Sequence, residues 1–292
     1  MKRKLLVTGA GGMVGHYARG VFSDFDLILS DASGSYEKLD VTDEKATRRF
    51  IAKVKPHLVL HLAALTDVDK CQLDSKSAYG CNRDGTATVA SACKDAGAIM
   101  VYISSGSVFS GKLCRPARES DPPDPVNTYG KSKLAGEEEV RRILPRHYII
   151  RAGWMMGGGP EKDKKFIGKI MKKITEDASI KVINDKFGSP TYAKDLLGGI
   201  KKLLPHEQYG IYHMVNESAG GCSRYDMTLA IKGILKNNDI TITPVSSDEF
   251  NLSAPRAYSE ALDNFRLKEM KLDLMRGWKE ALAAYMAEDW SV

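Results

Sequence analysis

A chain of 292 residues, 43% hydrophobic and 27% charged, has the make-up of a water-soluble protein with one α/β domain or a main domain plus a smaller one. No apolar run nears the roughly 18 residues of a membrane-spanning helix, and the net charge of +6 is spread through "KRK", "KDKK" and "MKK" without interleaved aromatics, which reads as solvated lysine faces rather than a nucleic-acid surface. The five cysteines (Cys71, Cys81, Cys93, Cys114 and Cys222) are odd in number, scattered and without a C-x-x-C pair, which argues against a disulfide framework or a metal site and suits a reducing cytoplasm.

The chain opens on "MKRKLLVTGAGG", whose short apolar run reads as a first strand (4–8) rather than a signal peptide. Further strands are expected at 27–30, 57–63, 98–104 and 147–151, with helix-like segments near 13–20, 43–54, 77–96 and 128–142 between them. This alternation predicts right-handed crossovers and an α/β, doubly wound parallel sheet, Rossmann-like, over residues 1–151. After 151 the rhythm changes. "WMMGGGP" leads to an amphipathic helix (163–176), a strand "IKVIN", a helix "TYAKDLLGGIKKLL", a strand "GIYHMV" and a helix opening on a Ser223–Asp226 capping box. Residues 152–292 are expected to form mainly a smaller C-terminal substrate-binding lobe over the carboxyl edge of the sheet, the chain returning to the first domain near 190–215.

The glycines of "VTGAGGMVG" follow the first strand directly. Gly9 suits the sharp turn, Gly12 lets backbone approach a pyrophosphate, and Gly15 allows close helix–strand packing; Met13 and Val14 lie between them at the start of a helix whose N–H groups suit an anion. Asp31 ends the second strand, where it can accept hydrogen bonds from an adenosine ribose, favouring NAD over NADP, or serve only as a turn residue. Asp40 and Val41 in "LDVTD" could flank an adenine, or Asp40 or Thr42 could cap the next helix. Downstream, "NTYGKSK" sets Tyr129 and Lys133 four residues apart, on one helix face. A lysine beside a phenol lowers the phenol's pKa toward the range of proton transfer. "ISSGSVFSG" ends the fourth predicted strand, expected to lie beside the first, so that Ser105 faces the same crevice as the glycine turn.

These motifs, G-x-x-G-x-x-G, then Ser/Thr, then Tyr-x-x-x-Lys, resemble the extended short-chain dehydrogenase/reductases. Within them the chain is most similar to the dTDP-4-dehydrorhamnose reductase group, through "HLAALTDVDKCQ", "NTYGKSKLAGE", "VINDKFGSPTYAKDL" and "APRAYSEAL", among other stretches between residue 5 and about 265. The resemblance implies Tyr129 as general acid, Lys133 as its ribose-binding neighbour and Ser105 as the hydroxyl orienting the carbonyl. It places Ala63 and Ala64 beside NAD or NADP, Thr66, Ser105, Gly106, Ser107, Trp154 and Arg256 about the substrate, and Asn82 beneath the catalytic pair. The implied reaction is reduction at C4 of a nucleotide-linked 4-keto-6-deoxy sugar, in dTDP-rhamnose and polysaccharide biosynthesis, by a cytoplasmic protein, dimeric by analogy. A C4 epimerase, and a non-catalytic cofactor-binding module like the β subunit of methionine adenosyltransferase, are the alternatives. The family usually carries Thr-Asp-Tyr where this chain has Ser105, Gly106 and Ser107, so the sugar is expected to differ.

Overall fold

The computed structural model describes residues 2–292. Its centre is a seven-stranded sheet whose first six strands in the chain are β1 (Lys4–Thr8), β2 (Asp26–Asp31), β3 (Glu37–Lys38), β4 (Leu58–His61), β5 (Ile99–Ser105) and β6 (His147–Ala152). With the edge strand Gly210–His213, the spatial order is Gly210–His213, β6, β5, β4, β1, β2, β3, every pairing parallel.

Successive side chains of a strand point to opposite faces, and both faces here are apolar. Leu5 and Val7 join Leu60, Val101 and Ile150 under the helix Ala193–Leu203, while Leu6 joins Val59, Met100 and Ile149 under the helices Glu44–Val54, Thr86–Ala96 and Thr128–Ile143. A strand covered on both sides cannot alternate with polar residues, which is why "KLLVT" and "HLVLH" read as continuous apolar runs. A further apolar cluster gathers Ile167, Ile170 and Ile174 of the helix Phe166–Glu176 with Met227, Ile231, Leu282 and Tyr285. The reciprocal cap between Ser223 and Asp226 opens the helix Arg224–Leu235.

The chain departs from the sequence-based expectation in three places. First, the strand bearing Ser105 does not lie beside β1: β4 sits between them. After β3 the chain crosses back over β1, takes the adjacent place with β4 and steps outward, so the switch in winding direction falls between β1 and β4, and Ser105 lies one strand spacing, about 4.8 Å, further along. Second, the helix expected at 13–20 is a 3₁₀ turn Gly15–Tyr17 followed by the short helix Ala18–Val21. The break is at Tyr17, whose ψ of −6° tightens the turn while its hydroxyl donates to Asp289 and accepts from the Gly158 amide. Third, the segment 77–96 is divided into the helices Ser75–Tyr79 and Thr86–Ala96 by a π-helical turn, Gly80–Gly85, which carries Asn82. Such single-turn bulges are frequent at functional sites.

Candidate active site

A cleft of about 1280 Å³ runs across the carboxyl ends of β1, β4 and β5. At one end Gly9 makes the turn out of β1 with φ +69°, and an added Cβ would lie 2.6 Å from the Ala63 amide nitrogen. Gly12, Met13, Val14, Ala63 and Ala64 line this part of the cleft, with Asp31, Asp40 and Val41 at its far wall. Gly15 lies outside the lining, packed on the backbone of Ala10.

Asp31 is a cleft wall and a turn brace together: one carboxylate oxygen accepts from the Gly11 amide at 2.9 Å and the other from the Ser33 amide at 3.0 Å. The proposed helix-capping role of Asp40 or Thr42 is corrected. Asp43, in extended conformation just before Glu44, accepts from the Ala46 amide and caps the helix, while Asp40 accepts from the amide and hydroxyl of Thr42. Below the crevice the buried His61 bridges Thr8 (2.7 Å) and Thr86 (3.2 Å), and burial lowers its pKa to about 3, so it is a neutral strut between strand and helix.

The other end is built by the helix Thr128–Ile143. Asn127 caps it, accepting from the Gly130 amide at 2.9 Å and donating to the Pro255 carbonyl at 3.0 Å. Gly130 allows the first turn to rest on the loop after β5, because a Cβ there would lie 2.1 Å from the Ser107 carbonyl oxygen. That approach brings Tyr129 to Ser105. Asn82 ties in the third element: it accepts from the Leu65 amide and donates to the Leu65 carbonyl and the Ser132 hydroxyl, joining the loop after β4 to this helix.

Burial pushes the Tyr129 phenol up to about 12, opposed by the Ser105 hydroxyl and reinforced by the charge of Glu260. Lys133 is fully buried, its ammonium 4.1 Å from the centre of the Tyr102 ring, and burial pulls its pKa down to about 8 against the attraction of nearby Cys81 and Glu137. Burial dominates at Tyr129, and the phenol keeps its proton at neutral pH. A protonated phenol with a hydroxyl beside it and a cation one helical turn on can give a proton to a carbonyl oxygen and steady the charge that develops there.

Thr66, Ser105, Gly106, Ser107, Trp154 and Arg256 all line the cleft around this pair. Thr66 is held by Lys165, whose ammonium donates to its hydroxyl at 3.0 Å. Arg256 pairs with Asp69 at 2.6 Å and donates to the Ala254 carbonyl. Among the lining residues that escaped sequence reasoning are Lys165, Arg224 and Glu260. Arg224 stacks on the Trp154 ring at 3.7 Å and on Phe166 at 4.6 Å; Glu260 accepts from the Trp154 indole at 2.6 Å. Their signal was weak, since Glu260 stands 106 positions from Trp154 and is one acid among the many charges of the chain. Among the described residues no cluster of three or more His, Cys, Asp or Glu could hold a metal ion, and no helix is long and apolar enough to cross a membrane.

Residues 3–290 match the model of the RmlD substrate binding domain family. The chain is 34% identical to the spore coat polysaccharide biosynthesis protein SpsK of Bacillus subtilis, over 98% of this chain and 97% of that one. It is equally 34% identical to the dTDP-4-dehydrorhamnose reductase of Mycolicibacterium smegmatis, over 97% and 84% respectively. The crystal structure of the dTDP-4-dehydrorhamnose reductase of Bacillus anthracis in complex with NADP superposes with a TM-score of 0.92 at 31% identity, covering 99% of this chain and 100% of that one. With a family model spanning nearly its whole length and relatives a third identical from end to end, the chain belongs to the dTDP-4-dehydrorhamnose reductase family of the extended short-chain dehydrogenase/reductases.

Proposed function

We propose that the protein is an NAD(P)H-dependent reductase of a nucleotide-linked 4-keto-6-deoxy sugar, acting at C4. The observation that carries this reading is the meeting of Ser105, Tyr129 and Lys133 in one cleft with the glycine turn of β1, in a chain of this family. The glycine turn and Asp31 fit a dinucleotide, whose reduced nicotinamide supplies hydride when bound. Tyr129 holds the proton that the carbonyl oxygen takes up, and Ser105 orients that oxygen. Lys133, as a cation, stabilises the charge forming on it. Lys162, Lys164, Lys165, Lys186, Arg224 and Arg256 bring cations to the substrate end, which suits a nucleotide diphosphate. The lobe of residues 152–292 is the substrate side of the site. The relatives named as reductases of dTDP-sugars point to dTDP as the carrier. A homodimer and a cytoplasmic setting are carried over from the resemblance and from the cysteine content.

The test is incubation with dTDP-, GDP- and UDP-linked 4-keto-6-deoxy sugars and NADH or NADPH, following reduced-cofactor absorbance and product identity. Stoichiometric loss of reduced cofactor is expected with at least one sugar. Sugar interconversion without net consumption would indicate an epimerase, and cofactor binding without turnover a binding module.

The pH profile is a second check. The Lys133 pKa lies near 8, so raising the pH through that value removes the cation, and kcat/KM is expected to fall on the alkaline side with an inflection near 8. In Lys133→Arg, whose charge persists to far higher pH, that limb is expected to move upward; an unmoved limb would assign it to another group.

A further inference from the structure

Glu260 reaches the site from a part of the chain that none of the catalytic motifs includes. It lies on the short strand Ser259–Glu260, which pairs with Phe187–Gly188. One carboxylate oxygen accepts from the Ser107 hydroxyl at 2.5 Å, the other from the Trp154 indole at 2.6 Å. A carboxylate offers about four acceptor positions, so each oxygen keeps capacity for a further donor, and Glu260 lines the cleft.

Its place is set by close packing. The Ser107 amide donates to the Ser105 hydroxyl at 3.1 Å, so the contacts run from Tyr129 through Ser105 and Ser107 to the carboxylate. At Gly106 an added Cβ would come within 3.0 Å of the Glu260 carbonyl oxygen, so the glycine admits this strand to the edge of the site. On the other side, the Arg224 guanidinium stacks on the indole that Glu260 holds, and Glu260 supports the Arg224 cation against the cost of burial.

We propose that Glu260 is the specificity-determining carboxylate of the sugar site, accepting a hydrogen bond from the hydroxyl on the carbon next to the reacting carbonyl. The inference rests on the reductase reading. Ser105 and Tyr129 mark the carbonyl oxygen, and the Glu260 carboxylate, joined to Ser105 through Ser107 and lining the same cleft, faces the place of the neighbouring ring carbon. A site built to pair a substrate hydroxyl discriminates against the sugar lacking it, because its own polar group is then left unpaired.

The experiment compares the wild type, Glu260→Gln and Glu260→Leu on two nucleotide sugars, the 4-keto-6-deoxyhexose and its 3-deoxy counterpart. Turnover is measured with the keto sugars, and binding of the corresponding reduced sugars by calorimetry. For the sugar bearing the hydroxyl, Glu260→Leu is expected to lose about 10- to 100-fold in kcat/KM and in affinity, and Glu260→Gln less. The 3-deoxy sugar should change by less than about 3-fold, so the preference of the wild type collapses. Equal losses on both sugars would reduce Glu260 to a brace for Trp154 and Ser107 and overturn the proposal; so would unchanged selectivity in both variants. Absence of turnover in the wild type, with a hydroxyl preference in binding that disappears in Glu260→Leu, would overturn the reductase reading and leave the role of Glu260 standing.

Discussion

Tyr129→Phe is expected to lower kcat by about 10²- to 10⁴-fold while changing the dissociation constant of the cofactor by less than about 2-fold, the range for loss of a positioned general acid. The substitution removes one oxygen and keeps the ring, so the packing of the helix start on the Ser107 backbone is preserved. Because the phenol is pushed up to about 12, it is protonated across the working pH range and its proton is available to a carbonyl oxygen. Steady-state kinetics with the best sugar, beside cofactor titration by fluorescence, separates the two effects. Activity within 10-fold of the wild type would remove Tyr129 from the acid role. Ser105→Ala should be milder, since a hydrogen-bonding partner of the oxygen is lost and the proton donor remains.

Glu137→Gln is expected to destabilise the fold by about 3–5 kcal/mol, because it leaves a buried guanidinium without its counter-charge. Glu137 and Arg151 are each only 2% exposed. Two parallel contacts join them, Arg151 Nε to Oε1 at 2.9 Å and a terminal nitrogen to Oε2 at 2.7 Å, and the Ser104 hydroxyl donates to the same carboxylate. The pair links the helix of Tyr129 and Lys133 to β5, which carries Ser105, and to β6. At the few degrees per kcal/mol typical of large domains, Tm is expected to fall by about 10 °C, measured by calorimetry. Glu137→Leu combined with Arg151→Met is expected to recover much of the loss, since a well-packed apolar pair avoids the desolvation cost of both charges. Full stability in the single variant would mean that water or His213, 3.5 Å from Arg151, relieves the stranded charge.

The buried strands were legible because their residues are apolar on both faces, and the glycine turn because only glycine suits its φ and its approach to Ala63. Tyr129 and Lys133 were legible as one face of a helix because four residues make about one turn. The departures have physical causes of a different kind. The π-helical turn at 80–85, "GCNRDG", is poor in helix formers, but what makes it π rather than α is the partner each amide finds, which composition does not record. The burial shifts of Tyr129 and Lys133 were not legible, because desolvation depends on how many groups surround a side chain, which no spacing records. The absence of an acid and an aromatic ring at 106 and 107 was visible in the sequence; that Glu260 and Trp154 stand against that loop was not.

By itself, then, the sequence determined what short-range sterics and periodicity control: the alternation of strands and helices, the parallel sheet, the glycine turn, and the types of residue able to pass a proton. Tertiary structure alone decided the interposition of β4 between β1 and β5, the buried Glu137–Arg151 pair, the hold of Lys165 on Thr66, and the arrival of Glu260 at Ser107 across 153 positions. Contacts so far apart in the chain leave no periodic trace; they exist because the crossovers bring several loops to one sheet edge, where close packing selects which side chains meet.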